Sequence, residues 1–140
     1  MRLWHYKLLK YLPKSQLLAQ WRELNSIFKK GDKHILINYI YDYPKSDLMS
    51  YAELVLFELH DRKIRVNLGE DSNYTKWVEK SFDGDILITL TDHPFVYHHD
   101  SRYLTQCFYN LQEKYDRGQK DFTVERYKEL VNFYERECNI

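Results

Sequence analysis

Glu23 lies among basic and amide side chains in the first quarter of the chain. If this segment is helical, its apolar residues form one stripe, and Glu23 falls at the border of that stripe. Gln16 and Gln20 fall on the same flank as Glu23, whereas Arg22 projects from the other side. A carboxylate in this position can stabilise a developing cation or accept a proton. The alternative is a solvated glutamate paired with Arg22 or a nearby lysine.

A second group of candidate side chains lies between Asp92 and Asp100, a stretch that also contains His93, His98 and His99. Zinc and other first-row transition metals accept such ligands. However, the neighbours His98 and His99 cannot easily both face one ion, and no second ligand cluster has a recognisable spacing. The sequence therefore predicts no metal site, and it leaves the role of the three histidines open.

The motifs of several large enzyme classes do not occur in the sequence. It contains no phosphate-binding G-x-x-x-x-G-K-[ST], no dinucleotide-binding G-x-G-x-x-G and no G-x-S-x-G of serine hydrolases. Cys107 and Cys138 lack metal-type spacing and fall on the apolar faces of predicted helices, so we expect reduced structural thiols. We therefore predict no cofactor.

The composition indicates one small globular domain over residues 1–140. The chain has 13 Tyr, 7 Phe and 3 Trp, enough aromatic surface for a sizeable core, and its 4 Gly and 3 Pro argue against a many-turned all-β fold. No apolar run approaches the roughly 20 residues that cross a bilayer, and the N-terminal stretch lacks the features of a secretory signal. We expect a cytoplasmic protein without a membrane partner.

Apolar periodicity predicts a mainly α-helical domain, a compact array with about four main helices. Their predicted starts are Pro13, about Ser46, Asp100 or Ser101, and the residue after Thr123. The ranges 34–43 and 86–90 are β-branched and aromatic enough to be predicted as strands, and the polar range 67–73 is predicted as a loop.

The zero net charge of the chain hides an asymmetry. Residues 1–33 carry a net charge of +6, and the remaining residues carry −6. Such an asymmetry can steer a polyanion to one surface, although an ordinary solvated helix face has a similar charge. Trp4, Tyr6, Tyr11 and Trp21 lie in the same stretch and favour nucleic acid, since aromatic rings can stack on bases or wedge between them.

The opening region resembles that of the phage-type pyrimidine-dimer DNA glycosylases, the endonuclease V family. The residues that carry the resemblance are Leu-Leu-Ala-Gln-Trp-Arg-Glu-Leu at 17–24, Ile27-Phe28 and Lys33-His34. Uncharacterised bacterial proteins related to that family also begin with a similar Met-Arg-Leu-Trp-His. The range 41–64 is similar to the long helix of the family, so the resemblance covers about the first 65 residues.

The resemblance implies a compact α-helical DNA repair enzyme, a glycosylase and AP lyase acting on damaged pyrimidines in double-stranded DNA. In that family the α-amino group of the processed N-terminus attacks the sugar C1′ and forms an imine, and β-elimination then cuts the strand. The residues at these catalytic positions are Met1 and Arg2 at the chain start and Glu23, which would stabilise the sugar cation. The candidate nucleic-acid-binding residues are Lys10, Gln16, Arg22, Lys29, Lys30, Lys33 and His34. We expect a monomer.

The sequence departs from the family at two positions. Arg2 replaces a small Thr, and a large side chain there is expected to prevent removal of Met1, so that the free amine belongs to Met1. Ser26 replaces a basic residue, and the neutral chain is expected to scan DNA more weakly than a basic one. Three hypotheses follow: a glycosylase and lyase, a nucleic-acid-binding relative without catalysis, and a helical protein whose basic face binds an acidic partner.

Overall fold

The chain folds into helices joined by turns and extended segments. A computed structural model describes residues 2–83 and 88–138. The elements in chain order are a 3-10 helix Tyr6–Tyr11, α1 Lys14–Lys30, a 3-10 helix Asn38–Asp42, α2 Lys45–Asp61, α3 Asn73–Ser81, α4 Ser101–Asp116 and α5 Val124–Glu137. Neither described range contains a β-strand, so the predicted all-α fold is confirmed.

The helices begin and end at residues whose chemistry suits a helix terminus. Pro13 directly precedes α1, where its missing N–H is not needed. The side chains of Asp100 and Thr123 accept hydrogen bonds from backbone N–H groups in the first turns of α4 and α5. Gly31 ends α1 with a left-handed φ of 63°, a conformation that costs glycine little. The four predicted helices are therefore confirmed.

The range 34–43, predicted as a strand, is instead a turn followed by a 3-10 helix. The backbone N–H groups of Ile37 and Asn38 both donate to the His34 carbonyl, at 2.8 Å each. The backbone is thus satisfied locally and needs no neighbouring strand. The prediction was wrong because β-branched and aromatic residues favour a strand only where a sheet supplies partners, and the described chain offers none.

Two further segments were incompletely predicted. The helix α3 was not predicted because it has nine residues and only Tyr74 among them is buried, so its periodicity is weak. It begins where the Ser72 side chain accepts a hydrogen bond from the Thr75 N–H, at the end of the range predicted as a loop. Of the second predicted strand, residues 86 and 87 lie outside the described residues, and 88–90 form no strand.

The N-terminal segment lies inside the core of the fold. Leu3, Leu8 and Leu12 are completely buried, and the first 3-10 helix packs against α2, α4 and α5. The long helix α1 packs against α2 and α3, where Trp21 and Phe28 meet the aromatic residues of α3. Residues 3–12 are therefore part of the core. Among the described helices, none has the length and apolar character needed to cross a membrane.

Candidate active site

The buried side chain of Gln20 fixes the start of the described chain against α1. Gln20 is 1% exposed. Its Nε2 donates to the Arg2 carbonyl at 3.2 Å, and its Oε1 accepts from the Trp4 N–H at 2.7 Å. The Tyr51 hydroxyl, on α2, lies 2.6 Å from the Trp4 carbonyl and 3.0 Å from Gln20 Oε1. Residues 2–4 are thus tied to two helices.

Glu23 lies one helical turn beyond Gln20, on the neighbouring part of the same face of α1. Its carboxylate oxygen Oε2 is buried, and no polar atom of the described residues donates a hydrogen bond to it. Burial raises the pKa of the Glu23 carboxyl above its ordinary value. The side chain as a whole is half-buried, so one carboxylate oxygen is enclosed by the protein while the residue still reaches the surface.

The turn after α1 brings two titratable side chains beside Glu23. The Ser26 hydroxyl donates to the Asp32 carboxylate, which ties the turn to α1 one helical turn beyond Glu23. The charge of Asp32 adds to the rise in the Glu23 pKa, whereas that of His34 opposes it. His34 is one of the binding residues predicted from the sequence. Asp32 was not predicted, because a single acidic residue in a basic stretch has no distinctive pattern.

The two candidates at the chain start differ in what the structure shows. Met1, the predicted source of the amine, lies outside the described residues. Arg2 is half-buried, and its guanidinium carbon lies 6.0 Å from the centre of the Tyr103 ring on α4. Burial raises the pKa of the Cys107 thiol, and the charge of Arg2 is one of the smaller effects that oppose this rise. The side chain of Arg2 therefore packs against α4, while its carbonyl faces Gln20.

Five of the basic candidates lie at opposite ends of α1. The group at the C-terminal end consists of four exposed side chains: Lys29, Lys30, Lys33 and His34. Lys10 precedes the helix, and the guanidinium groups of Arg62 and Arg126 both donate to its carbonyl at 3.1 Å. Since the 17 residues of α1 span roughly 25 Å, Lys10 belongs to a different surface from the other four.

The two remaining candidates on α1 face other elements. The Gln16 amide donates to Gln119 Oε1 at 3.4 Å, so it lies toward the segment that precedes α5. Arg22 is exposed and lines a polar cleft of about 370 Å³, together with Asn25 and Asn67, on the α3 side of the helix. Gln16 therefore lies two helical turns from Glu23, beside the segment that precedes α5.

Three of the aromatic side chains that favoured nucleic acid are buried. Trp4, Tyr11 and Trp21 are 6%, 8% and 7% exposed, so their rings are not available to bases. The prediction that they could stack on bases was wrong for these three residues, because a core aromatic and a binding aromatic have the same helical spacing. Tyr6 is half-buried and is engaged by a histidine.

Two buried histidines hold the N-terminal segment to the loop before α4. The Nδ1 atom of His99 accepts from the Tyr6 N–H at 3.2 Å, and its Nε2 lies 2.7 Å from the Tyr39 hydroxyl. The Nε2 atom of His5 lies 2.9 Å from the His99 carbonyl oxygen, and the Nδ1 atom of His5 accepts a hydrogen bond from the Lys7 N–H. Burial lowers the pKa of His5 to about 4 and that of His99 to about 2. Both rings are therefore neutral at physiological pH.

The other two histidines of this loop pair with tyrosines. His93 Nδ1 lies 2.9 Å from the Tyr6 hydroxyl, and His98 Nδ1 lies 2.7 Å from the Tyr43 hydroxyl. Within residues 2–83 and 88–138, no three His, Cys, Asp or Glu side chains gather as a metal site requires. The loop histidines therefore join segments that are distant in the chain.

Replacing Gln20 with Ala is expected to lower the free energy of unfolding by about 2–3 kcal/mol. The change leaves a small cavity, and it removes the hydrogen-bond partner of both the Trp4 N–H and the Arg2 carbonyl. Denaturant unfolding measures the loss. Gln16→Ala, on the same helix but half-buried, is the matched control and should cost less than about 0.5 kcal/mol. Equal losses in the two variants would show that Gln20 does not hold the segment.

Comparison with protein-family models gives one match. Residues 1–70, half of the 140-residue chain, match the family described as pyrimidine dimer DNA glycosylase. The matched range contains the N-terminal segment, α1, the turn after α1 and α2, and it therefore includes both Gln20 and Glu23. No curated protein and no solved structure matches the chain.

Proposed function

Because the chain belongs to the pyrimidine dimer DNA glycosylase family, we propose that it removes damaged pyrimidines from double-stranded DNA and cuts the strand at the abasic site. The observation that carries the proposal is the buried carboxylate oxygen of Glu23, which accepts no hydrogen bond from the described residues and lies on the helix that anchors Arg2. Such a carboxylate can stabilise a positively charged sugar and accept a proton.

The nucleophile in this proposal is the α-amino group of the chain, on Met1 where that residue is retained. Its lone pair bonds to C1′ of the damaged nucleotide, and the base leaves with the electrons of its bond to C1′. Opening of the sugar ring then gives an imine between the amine and C1′. Removal of a proton from C2′ expels the 3′ phosphate and cuts the strand. An α-amine suits this role because its pKa near 8 leaves an appreciable unprotonated fraction at neutral pH.

The anchoring of residues 2–4 supports a role for the chain start in catalysis. The Arg2 carbonyl accepts a hydrogen bond from Gln20, which lies one helical turn before Glu23 on α1, so Arg2 is held near the candidate carboxylate. Glu23 then stabilises the sugar cation after the base departs and assists removal of the C2′ proton. Arg22, which is exposed on the same helix, is placed to contact phosphate.

Borohydride trapping tests the proposed chemistry. A duplex with an abasic site, incubated with the protein and sodium borohydride, is expected to give a covalent protein–DNA adduct because an imine is reducible. Intact mass of the purified protein shows whether Met1 is retained, and peptide mapping of the adduct should place the DNA on the N-terminal peptide.

A reference AP lyase, trapped in parallel, is the positive control for this experiment. Failure to trap the present protein while the reference is trapped would remove the lyase chemistry and leave a nucleic-acid-binding relative. An adduct on an internal lysine would keep the lyase chemistry and contradict the assignment of the nucleophile to the α-amine.

A further inference from the structure

The turn after α1 ends in an exposed apolar tip formed by Ile35 and Leu36. Ile35 is 84% exposed and Leu36 is 40% exposed, whereas the next residue, Ile37, is completely buried. Burial of Ile37 anchors the turn to the core and leaves its two neighbours in solvent. Two adjacent exposed aliphatic side chains on one anchored turn indicate a contact surface.

A set of hydrogen bonds holds the turn in one conformation. The N–H groups of Ile37 and Asn38 donate to the His34 carbonyl, the His34 N–H donates to Asn38 Oδ1 at 2.7 Å, and the Leu36 N–H donates to His34 Nδ1 at 3.2 Å. Both the base and the tip of the turn are therefore fixed. A rigid tip loses little conformational entropy when it binds.

Exposed basic side chains precede the apolar tip in the chain. Lys33 and His34 directly precede it, and Lys29 and Lys30 end α1; all four are exposed. The Lys33 ammonium lies 5.9 Å from the centre of the Tyr41 ring, which is on the 3-10 helix that follows the turn. Exposed basic side chains next to an apolar tip in the chain complement a polyanion with an apolar interior. Duplex DNA is such a partner, with phosphates outside and stacked bases inside.

The tip is continuous with the candidate active site. The Ser26 hydroxyl, on α1, donates to the Asp32 carboxylate at the base of the turn. The charges of Asp32 and His34 both act on the Glu23 carboxyl. The turn that presents the tip is therefore tied to α1 one helical turn from Glu23.

We propose that Ile35, supported by Leu36, inserts between base pairs of duplex DNA beside the damaged nucleotide and unstacks that step. The inference rests on the proposed function for the identity of its DNA partner. Insertion kinks the duplex and exposes the sugar of the neighbouring nucleotide toward Glu23. Unstacking costs less where damage has already weakened the stack, so the tip also favours damaged over intact sites.

Fluorescence of a base analogue tests the insertion. A duplex with a tetrahydrofuran abasic analogue and an adjacent 2-aminopurine is expected to brighten several-fold at saturating wild-type protein, because the unstacked base is less quenched. Ile35→Ser is expected to lose most of this rise and about tenfold in affinity, and Ile35→Ala to lose part of both. Phe57→Ser changes another exposed apolar side chain, 69% exposed on α2, and should alter neither.

The tetrahydrofuran analogue cannot form an imine, so this readout is independent of the lyase chemistry. A rise that Ile35→Ser abolishes supports insertion even if borohydride trapping fails. No rise with wild-type protein overturns the proposal, as does an equal rise with folded Ile35→Ser, or a tip that binds an acidic protein and not DNA. Far-ultraviolet circular dichroism checks that the variants are folded.

Discussion

Glu23→Gln is expected to slow strand cleavage at an abasic site by about 100-fold or more, while affinity for the same duplex changes less than about threefold. Glutamine keeps the size of the side chain but removes the negative charge and the basic oxygen. The sugar cation then lacks its counter-charge, and the C2′ proton lacks its acceptor. Single-turnover cleavage and equilibrium binding, measured on one abasic-site duplex, separate the two effects.

The same variant is expected to fold at least as well as the wild-type protein. Burial raises the pKa of Glu23, so the ionised carboxylate is less favourable in the folded than in the unfolded chain and opposes folding at neutral pH. We expect Glu23→Gln to leave the free energy of unfolding unchanged or to raise it by less than about 1 kcal/mol. A loss of stability that accompanies the loss of cleavage would assign Glu23 a structural role.

Glu135→Gln is the matched control for the catalytic test. Glu135 is exposed on α5, a different helix from Glu23, and its substitution removes the same charge from the protein. Cleavage by this variant should equal that of the wild-type protein. Full activity in Glu23→Gln as well would mean that another group stabilises the sugar cation.

Acidification from pH 7 to pH 5 is expected to lower the free energy of unfolding by about 4 kcal/mol. His5 and His99 are buried, and burial lowers their pKa values to about 4 and about 2, from 6.5. Below pH 6.5 the unfolded chain gains protons that the folded chain does not, so each histidine destabilises the fold by about 2 kcal/mol at pH 5. Denaturant unfolding at the two pH values measures the effect.

The sign of this dependence follows from the direction of the two shifts. The contribution of the two histidines to the free energy of unfolding is largest above pH 6.5. It falls as the pH decreases toward their pKa values in the folded chain, about 4 for His5 and about 2 for His99. The raised pKa of Glu23 makes the fold more stable as the pH decreases, but this effect is small because the side chain is only half-buried. Loss of stability on raising the pH would contradict the neutral, buried state of both rings.

Two histidine variants serve as controls for the pH dependence. His99→Gln should be less stable than the wild-type protein at pH 7, since it disturbs the contacts to Tyr6 and Tyr39, but its loss between pH 7 and pH 5 should be about half as large. His60→Gln, at an exposed position on α2, should retain the full difference. If His99→Gln kept the wild-type difference, the proton would be taken up elsewhere.

Helix positions could be predicted because the forces that define them are local. Pro13, Asp100 and Thr123 act on the first turns of their own helices, and apolar spacing of three and four residues marks the buried face. The placement of Glu23 at the border of that face followed from the same periodicity. The turn at 34–43 could not be predicted, because whether β-branched residues form a strand depends on a partner elsewhere in the chain.

By itself the sequence determined the helical class, the limits of four helices, and the basic character of the first 33 residues, since these depend on neighbours along the chain. Only the tertiary structure decided that Gln20 donates a hydrogen bond to the Arg2 carbonyl, that Lys10 lies apart from Lys29, and that Trp21 is buried. Those outcomes depend on contacts between residues far apart in sequence, and one helical pattern serves a core and a binding face equally well.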